Sequence, residues 1–289
     1  MIKRLCIVGV GLIGGSLARA LHAAGGVDEI VGCSRDPAHL QRAVDLGVID
    51  RFETNMARAV DGADMVVVCV PMGAMTAVFR AISNHLAADA IVTDAGSAKN
   101  SVIESAREAF GELPDFLVPG HPIAGTENSG VEASFATLYR GRKVILTPTE
   151  NSRADAVAKV RNMWELTGAQ VLEMEPTHHD EVLAATSHLP HLLAYNLVDV
   201  LGNMEERREM FRFAAGGFKD FTRIASSDPV MWHDICLANR DAVLSAMDAF
   251  TESLGEMRAA VANGDSETLK ACFTRAKSLR DEYVLKEPS

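Results

Sequence analysis

The chain has 289 residues, of which 48% are hydrophobic, and a formal net charge of -11. That length and apolar content suit one large domain or two smaller ones with a sizeable core. The acidic balance, with no Lys/Arg-rich run, argues against nucleic acid and anionic membranes as partners, though not against a small anion held in a locally basic pocket.

The N-terminal KRLCIVGV is a short apolar run rich in β-branched residues and predicts a buried strand. The glycines that follow interrupt the run and argue against a signal peptide. GLIGGSLARALHAAG predicts a helix ending at Gly25 or Gly26. DEIVGCS is a second strand, and DPAHLQRAVDLG a helix with Asp36 as its cap and Pro37 at its first position. DMVVVCVP and AIVTDAG are further strands, FLVPG and KVILTP two more. AQVLEM is a last one, after a helix from about Ser152 to Leu166. No stretch approaches the roughly 20 unbroken apolar residues of a membrane span. The cysteines Cys6, Cys33, Cys69, Cys236 and Cys272 form no CxxC pair and suit buried thiols in a reducing cytoplasm.

Strand and helix alternating in this way, with continuously apolar strands, predict an α/β fold with a mostly parallel sheet covered on both faces. From Pro176 to Val284 no strand pattern occurs. HHDEVLAATSHLPHLLAYNLVDVLG is a long helical pattern interrupted by Pro190; PVMWHDICLANRDAVLSAMDAFTESLGEMRAAV is a second and SETLKACFTRAKSLRDEYV a third. The expected division is an α/β domain over 1–174 and an all-helical domain over 175–289. The apolar stripes of the helices exceed what a short bundle needs, which points to a homodimer.

Residues 9–14, GVGLIG, match G-x-G-x-x-G between a predicted strand and a helix, the context that makes this pattern informative. Gly9 permits the tight turn, Gly11 lets the backbone approach a pyrophosphate, and Gly14 allows close helix–strand packing. Leu12 and Ile13 stand at the helix start, whose amides and positive dipole end suit phosphates. At the tip of the second strand, where NAD sites usually offer an acid, the chain has Ser34 and then Arg35. A hydroxyl and a guanidinium suit a 2′-phosphate better, so the cofactor expected is NADP or NAD, with NADP favoured.

Removing hydride from an alcohol carbon also requires a base for the hydroxyl proton. His121, on the small-residue stretch GHPIAGTENSG after FLVP, should lie at the carboxyl edge of the sheet and is the candidate. Ser97 of TDAGSAK leaves a strand at the same edge, where it bonds His121 or the substrate hydroxyl, or caps a helix. Lys99 reads as a solvated helix residue, and His178 and His179 as a solvated helix start. His188 and His191 have metal-compatible i, i+3 spacing but no clear third ligand, so no metal is expected.

In this order GVGLIGGS, TDAGSAK, GHPIAGTENSG, ATSHLPH and GGFKDFTRIASSDPVMW resemble the prephenate/arogenate dehydrogenase family of tyrosine biosynthesis, over nearly the whole chain. The resemblance implies a Rossmann-type domain joined to a helical dimerising domain in a cytoplasmic enzyme. It also implies oxidative decarboxylation of prephenate to 4-hydroxyphenylpyruvate, or of arogenate to tyrosine. By it His121 accepts the hydrogen bond of the substrate hydroxyl, with Ser97 assisting. His191 lines the substrate pocket with His188 nearby, Arg223 holds a carboxylate, Asp220 and Glu127 position that arginine or gate the pocket, and Trp232 closes a wall. The fingerprint's place at the N-terminus and the short tail leave no room for an added mutase or regulatory domain, so feedback by tyrosine would act at the active site. Two other readings remain: another hydroxyacid or imine reductase of Rossmann-plus-helical build, which needs a different catalytic group, often a lysine in the helical domain that HHDEVLAATSHLPH does not offer, and a dinucleotide sensor without turnover.

Overall fold

The computed structural model describes residues 1–126 and 128–285. The chain forms two compact units, Met1–Arg240 and Asp241–Ser289.

In the first unit the strands β1 (Ile2–Val8), β2 (Val27–Cys33), β3 (Arg51–Glu53), β4 (Met65–Val68), β5 (Ile91–Asp94) and β6 (Leu117–Val118) form a six-stranded parallel sheet in the order β3-β2-β1-β4-β5-β6. The order reverses between β1 and β4, which opens a crevice at their carboxyl ends, the ligand position of doubly wound sheets. Both faces are buried. Leu5 and Ile7 of β1 enter one core with Leu17 and Leu21, whereas Cys6 and Val8 enter the other with Met75 and Phe79. The five cysteines are unpaired. Burial pushes the Cys33 thiol up to about 11, so it acts as a small apolar residue rather than a nucleophile.

The connecting helices are α1 (Leu12–Ala24), α2 (Pro37–Asp45), α3 (Met56–Val60), α4 (Met75–Ile82) and α5 (Lys99–Phe110). As the sequence predicts, α1 stops at Gly25, which adopts φ 62, and Asp36 caps α2 by accepting from the Ala38 and His39 amides. The three-residue β3 was not legible, because Phe52 is its only apolar residue.

FLVPG is not one strand. It breaks at Pro119, which has no N–H for the ladder. The chain turns into β7 (Gly120–Pro122), which pairs antiparallel with β8 (Lys143–Leu146); β8 pairs parallel with β9 (Gln170–Glu173) in a second, three-stranded sheet. His121 therefore sits on a strand, opposite Ile145. Helix α6 (Ala154–Leu166) joins β8 to β9.

From Pro176 onward every described element is helical: α7 (Pro176–Leu183), α8 (Leu189–Gly202), α9 (Arg207–Arg212), α10 (Gly216–Thr222) and α11 (Pro229–Ala238) complete the first unit. Between α7 and α8 the residues Ala184–His188 form one wide π turn. It lies where Pro190 can neither donate to nor clear the carbonyl four residues back. The second predicted helix is broken at Asn239, whose backbone leaves the helical region at ψ 35. The second unit holds most of α12 (Arg240–Asn263) and α13 (Ser266–Leu279), which is capped by Asp265. Among the described residues no helix is long and apolar enough to cross a membrane.

Candidate active site

The turn from β1 to α1 is shaped by its glycines. Gly9 has φ 97, and a Cβ there would lie 2.3 Å from the Cys69 carbonyl oxygen. A Cβ on Gly14 would lie 2.3 Å from the Gly9 carbonyl oxygen and 2.8 Å from Ile7 Cγ2, so helix and strand are in backbone contact. At Gly11 a Cβ would meet nothing within 4 Å. That glycine is not required by protein packing, and the open space faces the start of α1, where no side chain caps the first amides. An open backbone surface at an uncapped helix start fits the pyrophosphate of a dinucleotide. Leu12 and Ile13 pack on the core, so their offering to a phosphate is the main chain. Tyr139 Oη donates to the Ile13 carbonyl at 2.6 Å and braces the turn.

Ser34 follows β2, with its hydroxyl 3.4 Å from the Asp36 amide, and Arg35 is exposed. Asp36 Oδ1 is taken by α2, accepting from Ala38 N at 2.9 Å and His39 N at 3.3 Å.

His121 projects from β7 towards α7. Its Nδ1 is 2.9 Å from His179 Nε2, and His179 Nδ1 is 2.8 Å from Asp180 Oδ1. Asp180 in turn accepts from the first amides of α5, Lys99 N at 2.7 Å and Asn100 N at 2.9 Å. These bonds hold its carboxyl below the usual carboxylate range although burial pushes the other way. An ionised Asp180 can only accept, so His179 carries its proton on Nδ1. His179 Nε2 is then an acceptor, and His121 must carry its proton on Nδ1. The chain of bonds thus fixes one tautomer at His121 and leaves Nε2 with its lone pair. Burial, with His179, Lys99 and His188 adding to it, holds His121 well below the usual histidine range, so the ring is neutral at physiological pH.

The sequence reading missed most of this support. His179 is fully buried, not solvated, whereas its neighbour His178 is exposed as expected. Lys99 is also fully buried: Nζ donates to Asp94 Oδ2 and to the Gly120 carbonyl, both at 2.6 Å. Asn239, at the helix break, donates to the Asp180 carbonyl at 2.8 Å and lies 3.1 Å from His188 Nδ1. The only signals in the sequence were a histidine beside an acid and a lysine after a strand, both common on solvated helices.

The other candidates divide. His188 and His191 flank Trp232: the His191 ring stacks on the indole at 3.6 Å, and the His188 ring lies edge-on at 6.1 Å. His191 Nδ1 donates to the Ser187 carbonyl at 2.9 Å, and burial together with the Arg223 charge lowers its pKa. Burial also pulls His188 down to about 4. The Nε2 of His188 and the Nε1 of Trp232 are buried without a hydrogen-bond partner among the described residues. Arg223 opens the turn after α10, with Asp220 exposed on that helix. Ser97 is partly buried and is not the partner of His121, whose Nδ1 goes to His179. Glu127 lies outside the described residues.

Two family models match the chain. That of the prephenate dehydrogenase nucleotide-binding domain covers residues 17–173, and that of the prephenate dehydrogenase dimerization domain covers residues 175–275. The cyclohexadienyl dehydrogenase of Zymomonas mobilis subsp. mobilis is 39% identical over 285 residues, 96% of this chain and 95% of that protein. The prephenate dehydrogenase of Bacillus subtilis is 34% identical over 285 residues, 98% of this chain and 76% of that protein. Among solved structures, prephenate dehydrogenase from A. aeolicus, in complex with hydroxyphenyl propionate and NAD+, is similar with a TM-score of 0.91 at 39% identity, over 98% of each chain.

Proposed function

The chain belongs to the prephenate dehydrogenase family, and we propose that it catalyses the oxidative decarboxylation of prephenate to 4-hydroxyphenylpyruvate, or of arogenate to tyrosine. The observation that carries this reading is the His121–His179–Asp180 chain, which leaves one imidazole nitrogen as an obligate acceptor near the carboxyl edge of a dinucleotide-binding sheet.

His121 Nε2 accepts the proton of the ring hydroxyl as hydride leaves, with the charge shared through His179 towards Asp180, and returns it to the same oxygen as the ring becomes aromatic, so the product keeps its hydroxyl. Arg223 holds a substrate carboxylate by charge-assisted hydrogen bonds. Trp232, with His191 stacked on it and His188 beside it, forms an apolar wall that orients the ring. Ser97 assists at the hydroxyl, and Asp220 and Glu127 position Arg223 or gate the pocket. The ring carboxylate leaves as carbon dioxide, and its bonding pair completes the aromatic ring, so the residues supply alignment and one proton acceptor rather than strong acid–base chemistry. When bound, the nicotinamide supplies the hydride acceptor. Gly9, Gly11, Gly14 and the main chain of Leu12 and Ile13 hold the pyrophosphate, and Ser34 with Arg35 favours NADP over NAD.

The functional division falls at 174/175, supported by the two family models that meet there. The helical part pairs two copies into a homodimer, a reading supported by the exposed Leu244, Met247, Phe250 and Leu254 of α12. The unpaired cysteines suit a cytoplasmic setting.

The test is a steady-state assay of reduced nicotinamide that crosses prephenate and arogenate with NAD and NADP, with product identification. Turnover with release of carbon dioxide, faster with NADP, is expected. Tight cofactor binding without turnover in any of the four pairs would overturn the reading.

A further inference from the structure

The reaction above gives no task to the amino group of Lys99, yet this side chain is fully buried. Lysines are almost never enclosed unless paired, and an apolar pair of the same volume is often at least as stable as a buried ion pair. Its contacts indicate why a charge is kept there. Nζ donates to Asp94 Oδ2 from β5 and to the Gly120 carbonyl from β7, the peptide that immediately precedes His121. Asp94 closes the same clamp, accepting from the Gly120 amide at 3.1 Å and from the Gly96 amide at 2.7 Å. The main-chain amide of Lys99 donates to Asp180 Oδ1, the oxygen that also lies 2.8 Å from His179 Nδ1. One residue thus grips the imidazole from both ends: through its side chain at the backbone of His121, and through its amide at the far end of the histidine chain.

We propose that Lys99 is a positioning residue for His121, its ammonium and Asp94 fixing both polar groups of Gly120 so that the strand presents Nε2 of the imidazole to the substrate hydroxyl. The role rests on reading His121 as the proton acceptor. Lys99 is not itself catalytic, because it is enclosed away from any substrate. The same charge acts on the titration of His121. The groups around that ring are His179 from α7, His188 from the π turn and Lys99 from α5, and each opposes its protonation. Asp94 and Asp180 face Lys99 and support its charge against burial, which lowers its pKa.

The test compares wild type with Lys99→Met and with the double variant Asp94→Asn/Lys99→Met, which leaves no unpaired buried charge. Each is studied by steady-state kinetics across pH and by 15N NMR titration of the His121 imidazole, assigned against His121→Asn. We expect the double variant to bind cofactor as wild type does and to keep its KM. Its kcat should fall on the order of 10- to 100-fold, as for misplacement of a reacting group. In Lys99→Met, where the cation alone is removed, the acidic limb of kcat/KM and the His121 titration should both move to higher pH. Wild-type kcat in the double variant, or an unshifted His121 titration in Lys99→Met, would overturn the proposal. A second measurement needs no variant: in wild type labelled with 15N-lysine, Lys99 should give an ammonium resonance protected from solvent exchange at neutral pH. A neutral or freely exchanging amine there would equally overturn it. If wild type turns over no substrate, the assigned reaction fails, while the imidazole and lysine spectra still decide the role of Lys99.

Discussion

At His121 the proton on Nδ1 is committed to His179, whose own Nδ1 proton is committed to Asp180. The free Nε2 therefore acquires its role from a carboxylate two residues removed in the hydrogen-bond chain. Asp180→Ala tests that dependence. Without the carboxylate nothing holds the His179 proton on Nδ1, and the tautomer that carries it on Nε2 forces His121 to carry its own proton on Nε2, where the lone pair is needed. The expected outcome is a kcat lower by on the order of tenfold or more, with cofactor affinity, measured by quenching of protein fluorescence, unchanged. A variant with wild-type kcat would show that the tautomer is set elsewhere. At this scale recognisable motifs single out His121, His191 and Arg223 as candidates. The sequence concealed His179, Lys99 and Asn239, because each acts on a partner 58 to 81 residues away, through contacts that no local spacing encodes.

The elements that carry the site were legible where one physical rule sufficed. Helix α1 ends at a left-handed glycine and α2 begins at an aspartate cap, and both follow from residue type alone. Where two rules competed the sequence was ambiguous. FLVPG has the composition of a strand, but Pro119 divides it between two sheets, and this division is what carries His121 out of the main sheet. Likewise the second helical pattern shows no proline or glycine at its break. Asn239 leaves the helix to bind the Asp180 carbonyl. The β1–α1 turn gives a prediction that separates packing from ligand binding. Gly11→Ala adds a methyl that meets no protein atom, whereas the same change at Gly14 drives it into the Gly9 carbonyl. Gly11→Ala should keep the wild-type thermal midpoint and weaken dinucleotide binding on the order of tenfold, about 1.4 kcal/mol. Gly14→Ala should lower the midpoint itself. Calorimetric binding and melting of both variants check this; equal melting losses would contradict it.

Across the whole molecule the histidines of the site are also an acid-sensitive element of the fold. His188 is 1% exposed and burial lowers its pKa to about 4, while the unfolded chain titrates near 6.5. Between these values the unfolded state binds the extra proton. Stability is therefore complete above about pH 6.5 and is lost as pH falls towards 4, by about 3 kcal/mol for this group. Urea midpoints should fall across that window in wild type and fall less in His188→Gln; a flat wild-type profile would count against a neutral buried ring. The large-scale plan, a parallel sheet followed by helices, was the most legible level, because periodicity is repeated over many residues. The boundary between compact units at Arg240 was not legible, since it falls within one continuous helical pattern.

The most direct test of the central claim, that His121 accepts the hydroxyl proton, is the pH dependence of kcat/KM in wild type and in His121→Asn with the substrate and cofactor pair that wild type turns over. The wild-type profile should be flat through neutrality and fall only in acid, below the usual histidine range, where the depressed His121 finally protonates. The variant should be slower by on the order of 10²- to 10⁴-fold with no acidic limb. A variant within a few-fold of wild type, or one that keeps the same acidic limb, would contradict the claim.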